Sequence, residues 1–191
     1  MKTYLLPSLK LTAVLIVLCS VIYPLFIAGV GRMAPGQGKG VTVSADGKVV
    51  GYEQIGQKFT DDKYFWGRPS AVGYNAAGSG GSNKGPAAPD LQDSIQSRIK
   101  QFMAHNPGVN RSDIPNELVT CSGSGLDPDI SPKGALIQVS RVARARGRSE
   151  EEIRKLVEMH IEKPLFGIFG PEKVNVLKLN MDLNKAFPIH S

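Results

Sequence analysis

Cysteine is almost missing from this chain, with two among 191 residues. Cys19 lies inside a long apolar run and Cys121 far outside it, so no intramolecular disulfide is expected. No pair or cluster of Cys and His has metal-ligand spacing, which excludes a zinc site or a thiol redox motif. Histidine is scarce too: His105, His160 and His190 all sit near helix or chain ends, as solvated or capping side chains do. Long basic runs are absent, and part of the formal net charge of +6 comes from lysines beside the apolar run. Nucleic-acid binding is therefore not expected. Neither G-x-x-x-x-G-K-[ST] nor a G-x-S-x-G elbow occurs, and no stretch fits a twelve-residue calcium loop.

What the chain has is an uncharged stretch, Leu11 to Gly31. As a helix it would reach about 30 Å, the thickness of a bilayer's hydrocarbon core. A buried soluble helix would show a polar face, and this one shows none. A cleaved signal peptide has a shorter apolar region and a small-residue cleavage site. The stretch reads as an uncleaved membrane anchor, in which Pro24 and Gly29 are tolerable. Lys2 and Lys10 precede it; Arg32, Lys39 and Lys48 follow it. The charge rule for orientation is thus nearly tied, although a short basic head suits a cytoplasmic amino terminus.

The expected organisation is a head over residues 1–10, a span over 11–31, a linker over 32–40 and one soluble domain over 41–191. "VTVSADGKVVGY" reads as a β-hairpin turning at Asp46-Gly47. Thr60 is a possible cap for a helical turn. Tyr74 to Pro89 is a Gly/Ser/Asn/Pro loop. Asp90 is expected to cap a helix to about Asn106, with Leu91, Ile95, Ile99 and Met103 as its apolar stripe. "NELVTC" reads as a short strand. Ser131-Pro132 starts a helix that Gly147 stops, with Leu136, Val139, Val142 and Ala143 inward. Ser149 and Glu152 form a capping box for the next helix, which buries Ile153, Leu156, Val157 and Ile161. "KVNVLKLN" reads as a central strand. The fold class is α+β: one N-terminal transmembrane helix, then a small sheet covered by about three helices.

Two stretches carry possible chemistry. In "SGSGLDPD", Ser122, Gly123, Ser124 and Gly125 could form an anion-binding nest. Asp127 and Asp129 could bind a cation, or the whole stretch could be a structured turn. No catalytic residue is assigned and no metal site is expected. A hydrolase using Ser124 is a remote reading, because the spacing of an elbow is wrong. In "YFWGRP", Tyr64, Phe65, Trp66 and Arg68 combine residue types common in cores and in protein interfaces. Both readings stand at this stage.

"YFWGRPSA", "YNAAGSGGSN", "SGSGLDPDISPKGA" and "VNVLKLN", after a single span, together resemble the C subunit of the bacterial Kdp potassium-transporting ATPases. The resemblance covers nearly the whole chain. It implies a non-catalytic subunit of a pump in the bacterial inner membrane, crossing once, with its amino terminus cytoplasmic and its domain extracytoplasmic near the potassium entrance. It implies three partners: a channel-like potassium-binding subunit, a P-type ATPase catalytic subunit working through an aspartyl phosphate, and a small membrane subunit. It implies potassium as the transported ion and a chaperone-like increase in the catalytic subunit's ATP affinity. No cofactor would be bound tightly, and direct contact with ATP stays open. Ser122 to Gly125, Asp127 and Asp129 would be a nucleotide- or partner-binding loop. Tyr64, Phe65, Trp66, Arg68, Asn75, Ser79 and Asn83 would face a partner. An external domain would reach ATP only allosterically. A cytoplasmic domain that binds nucleotide directly is the alternative.

Overall fold

The computed structural model describes residues 2–45 and 47–188. Asp46 of the expected turn and His190 lie outside the described residues. The chain divides into two units, Met1–Thr42 and Val43–Ser191.

The first unit is a helical rod. Helix α1 (Lys2–Val17) passes through one wide π turn (Leu18–Ile22) into α2 (Tyr23–Gly31). Helical structure thus begins at Lys2, well before the first residue of the uncharged run. The π turn has a local cause. Pro24 has no N–H, and its ring would strike the carbonyl of Ser20 in a regular helix. In the wide turn the Tyr23 N–H bonds to Leu18 O, five residues back, which opens the ladder where the proline enters. Tyr4–Gly31 is one helix long and apolar enough to cross a membrane, and none of it is buried within the protein.

The second unit is α+β. Strands β1 (Thr42–Ala45) and β2 (Lys48–Tyr52) pair as a hairpin, with Gly47 in the left-handed region at φ +75°. A second sheet has the order β3-β5-β4, from β3 (Asp129–Ile130), β4 (Ile161–Glu162) and β5 (Lys173–Asn175). Both pairings are antiparallel: Ile130 lies opposite Val174, and Val174 opposite Ile161. Central Val174 is wholly buried, as a middle strand requires.

Helices enclose this sheet: α3 (Pro89–His105), α4 (Pro132–Leu136), α5 (Val139–Arg146), α6 (Glu150–Met159) and α7 (Val176–Ala186). The expected start at Ser131 is present, with its hydroxyl accepting from the Gly134 N–H, and Gly147 ends α5 in the left-handed region. The Ser149/Glu152 capping box opens α6. Phe65, Ala135, Val142, Ile153, Val157, Leu179 and Leu183 join one core.

Several expectations are corrected. Thr60 caps nothing; the Asp61 carboxylate accepts from the Lys63 N–H and closes a turn instead. The cap of α3 is Ala88, with Pro89 as first helical residue, and Asp90 pairs with Lys84. In α3 the buried face is Ile99 and Phe102, while Met103 turns outward. "NELVTC" forms a short 3-10 turn, Asn116–Leu118, rather than a strand. The helix after Ser131 breaks at Gln138, whose side chain is drawn into the core. "KVNVLKLN" supplies only three residues to the sheet. Asn175 then accepts from the Lys178 N–H and caps α7. Val176, Leu179, Asn180 and Leu183 share its buried face, at spacing that suits a helix better than a strand.

Candidate functional site

The segment Tyr64–Trp66 runs through the domain without belonging to a sheet. Its backbone polar groups therefore need other partners. Asn180 supplies two: its Oδ1 accepts from the Phe65 N–H at 2.8 Å, and its Nδ2 donates to Phe65 O at 2.9 Å. Gln138 repeats the device one residue on, with Oε1 accepting from Trp66 N–H at 2.8 Å and Nε2 donating to Trp66 O at 3.1 Å. Two side-chain amides thus stand in for neighbouring strands. Asn180 and Gln138 are both wholly buried, which leaves them no alternative partner in water.

Arg141 locks this arrangement. Its guanidinium donates to Asp62 O, Tyr64 O, Asn106 Oδ1 and Gln138 Oε1 at 2.6–3.1 Å and stacks 4.2 Å from the Trp66 ring. Burial pulls its pKa down to about 10, against the pull of Asp62 and Asp61. That still leaves it a cation near neutrality. Phe65 is 0% exposed, so this member of the expected partner interface is core. Tyr64 and Trp66 are partly buried: Tyr64 lies under Arg146, and the Trp66 indole N–H donates to Asp61 O. Asn75, Ser79 and Asn83 remain on the surface. Asn75 caps a short 3-10 turn by accepting from the Ala77 N–H.

The Ser122–Asp129 loop is knotted to four other parts of the domain. The Ser122 N–H donates to Pro69 O, and Ser124 O accepts from both the Gly80 N–H and the Ser79 hydroxyl. Leu126 O accepts from the Gly56 N–H, and Pro128 O from the Val176 N–H. Within the loop, Ser124 Oγ accepts from the Leu126 N–H. Gly125 is left-handed at φ +68°, and a Cβ there would lie 2.6 Å from Val72 and 2.7 Å from Gly80 O. Only glycine fits both demands.

The two aspartates are committed as well. Asp127 accepts from the Asp129 N–H at 3.0 Å and pairs with Arg68 at 3.0 Å. Asp129 pairs with Lys173 at 2.8 Å. Asp129 Oδ1 and Arg68 Nε are buried without a hydrogen-bond partner among the described residues. No group of three metal-ligating side chains occurs among the described residues. Among the described residues no histidine meets the Ser124 hydroxyl: His105 meets Asp62, and His160 meets Asp182 and Leu156 O.

Sequence reasoning missed an open cleft of about 390 Å³ beside the knot. Lys58, Arg68 and Arg98 line it with Trp66, Tyr74 and Phe102; no carboxylate among the described residues lines it, although Arg68 is paired with Asp127 from outside. Arg98 donates to Val119 O at 3.0 Å and lies 3.2 Å from Cys121 Sγ, and among the described residues it forms no ion pair. The Tyr74 hydroxyl donates to Arg68 O, and burial pushes its pKa up to about 12, which keeps it neutral. These cations are scattered in sequence, so no local pattern announced them. Gln138 and Arg141 did leave a trace: two polar residues, three apart, on an otherwise apolar helix face.

A family model described as "K+-transporting ATPase, c chain" matches residues 5–185. The potassium-transporting ATPase KdpC subunit of Flavobacterium johnsoniae is 55% identical over 177 residues, covering 93% of this chain and 95% of its own. That of Bacteroides fragilis is 52% identical over 188 residues, 97% of this chain and 98% of its own. That of Caldanaerobacter subterraneus is 48% identical over 184 residues, 96% and 95% of the two chains.

Proposed function

Because the chain belongs to the family of the K+-transporting ATPase c chain, we propose that it works by contact with companion subunits and does no chemistry of its own. It is an accessory subunit of the potassium-transporting ATPase, and potassium is the ion transported. Its role is to support assembly and uptake and to raise the ATP affinity of the catalytic subunit from a distance. Its partners are the channel-like, catalytic and small membrane subunits. The Tyr4–Gly31 helix anchors it in the inner membrane with the amino terminus cytoplasmic, and the Val43–Ser191 unit stands outside. One observation carries this reading. The loop richest in glycine, serine and aspartate spends its groups inside the protein, on Pro69, Gly80, Gly56, Arg68 and Lys173. A phosphate cradle is built from free backbone N–H groups without acidic neighbours, whereas here the Ser122, Gly125 and Leu126 N–H groups are bonded and Asp127 and Asp129 stand in the same loop. An effect on ATP affinity then runs through partner subunits.

The test is sidedness. Ser82 is exposed, so a Ser82→Cys variant offers a thiol on the glycine-rich loop. A membrane-impermeant maleimide should label it in intact cells. Labelling only after permeabilisation would put the domain in the cytoplasm and sink the reading.

A second reading rests on the cleft. Lys58 and Arg98 beside Trp66 and Tyr74 suit an anionic, planar ligand, and a cytoplasmic domain could offer them to ATP directly. Photolabelling of the full chain by azido-ATP, abolished by Lys58→Ala with Arg98→Ala, would establish that alternative. Equal labelling of the variant would remove it.

A further inference from the structure

Among its described residues the second unit leaves a strongly apolar tip uncovered. After β4 the chain forms a closed tip, "PLFGIFG", before returning as β5. Leu165 and Phe169 bond to each other through both backbone pairs, at 3.1 and 3.0 Å, and the Gly167 N–H donates to Pro164 O. The tip is therefore a defined hairpin. Leu165, Phe166, Ile168 and Phe169 are nevertheless 63%, 83%, 75% and 62% exposed. Phe166 sits at the apex in the left-handed region, φ +53°, which a bulky residue adopts only when neighbours hold it there. We infer that this tip is a plug for an apolar socket with a neutral rim on a companion subunit of the same membrane complex.

Three observations choose this occupant. First, the flanks are balanced: Glu162 and Lys163 precede the tip, Glu172 and Lys173 follow it, and Lys173 is held by Asp129 and Glu162. Second, the tip has no Trp, Tyr or cationic collar, the features that seat a protein on a lipid surface. Third, four such side chains offer on the order of 500 Å², on the scale of ~150 Å² for each buried aromatic. A standard interface needs about 800 Å² per partner. The tip alone would not hold a second copy or a freely diffusing protein. It suits a partner already held close, and the Tyr4–Gly31 helix provides that tether. Exposed phenylalanines filling a socket are then the anchors of the contact.

The inference rests on the assembly role proposed above, and the experiment separates the two. The full-length chain, tagged, is co-expressed with its companion subunits and purified in mild detergent. Phe166→Ser with Phe169→Ser should lower recovery of the companions at least tenfold and leave the chain's melting temperature unchanged. Phe166→Leu with Phe169→Leu should restore recovery. An environment-sensitive dye on Ile168→Cys, with Cys19→Ser and Cys121→Ala, should shift to the blue only when companions are present. Undiminished recovery of the serine double variant overturns the plug. Quenching of the dye by spin-labelled lipid also overturns it, with the bilayer as occupant. If the unaltered chain recovers no companions, the assembly reading itself fails.

Discussion

The Ser122–Asp129 loop and the Leu165–Phe169 tip are both glycine-containing surface connections, yet they behave oppositely. The loop is polar and looks like a binding device, but several of its carbonyls, the N–H groups of Ser122, Gly125, Leu126 and Asp129, and both carboxylates have partners within the domain. The tip has no group that invites chemistry, but its side chains touch little of their own protein. In the loop, polar residues substitute for regular secondary structure, because an unpaired buried amide costs about as much as several surface contacts give. In the tip, a backbone bridge between Leu165 and Phe169 closes the hairpin and the apolar side chains remain unspent. The difference is one of what each connection leaves unspent: mainly apolar side chains in the tip, and fewer polar groups in the loop than its composition suggests.

The contrast can be attacked from its inner end. Arg141→Met removes four hydrogen bonds and the stack on Trp66. It should cost about 3–5 kcal/mol, the scale for breaking a buried polar network, read as a lowered unfolding midpoint of the detergent-solubilised chain. Gly125→Ala should cost about 2–3 kcal/mol from the left-handed backbone and the clash with Val72 and Gly80. A neutral Gly125→Ala would mean the loop is not knotted, and the comparison would collapse. Asp127→Asn should cost about 1 kcal/mol or less, since its pair with Arg68 is partly solvated.

A smaller effect is set by pH. The hydrogen bond from Lys185, with help from His160, holds the Asp182 carboxyl below the usual carboxylate range. The folded state therefore favours the ionised form. The stability this gives is present above about pH 3.8 and is lost as pH falls through the lower folded value. Melting curves from about pH 5 to about pH 2 should show that loss, and Asp182→Asn should flatten it. Smallest of all is the effect of the tip on the chain's own stability. Phe166→Ser with Phe169→Ser should leave it within about 0.5 kcal/mol, as surface changes do. A large destabilisation would show that the tip packs on its own domain and would erase the contrast.

Much of the fold was legible from local signals. The apolar helix, the Ser131-Pro132 start, the Gly147 stop and the Ser149/Glu152 box are each written in a few adjacent residues, and short-range sterics decide them. "KVNVLKLN" was misread because alternation and helical spacing coincide over so few positions; the cap at Asn175, which distinguishes them, depends on Lys178. Gln138 and Asn180 were not readable as backbone partners of Trp66 and Phe65, because those contacts span 72 and 115 residues. The cleft was hidden for the same reason. The tip was hidden differently: "PLFGIFG" is apolar, and composition alone does not show whether such a stretch is buried or, as here, exposed.

The π turn at Leu18–Ile22 has a mechanical corollary. One surplus residue in a turn advances the azimuth of everything beyond it by roughly 100°, since a regular turn holds 3.6 residues. A row of side chains followed up α1 therefore emerges on a different flank of α2. The rod thus presents two rows of side chains that face different ways along its length, and excising Ser20 would bring them back into one line.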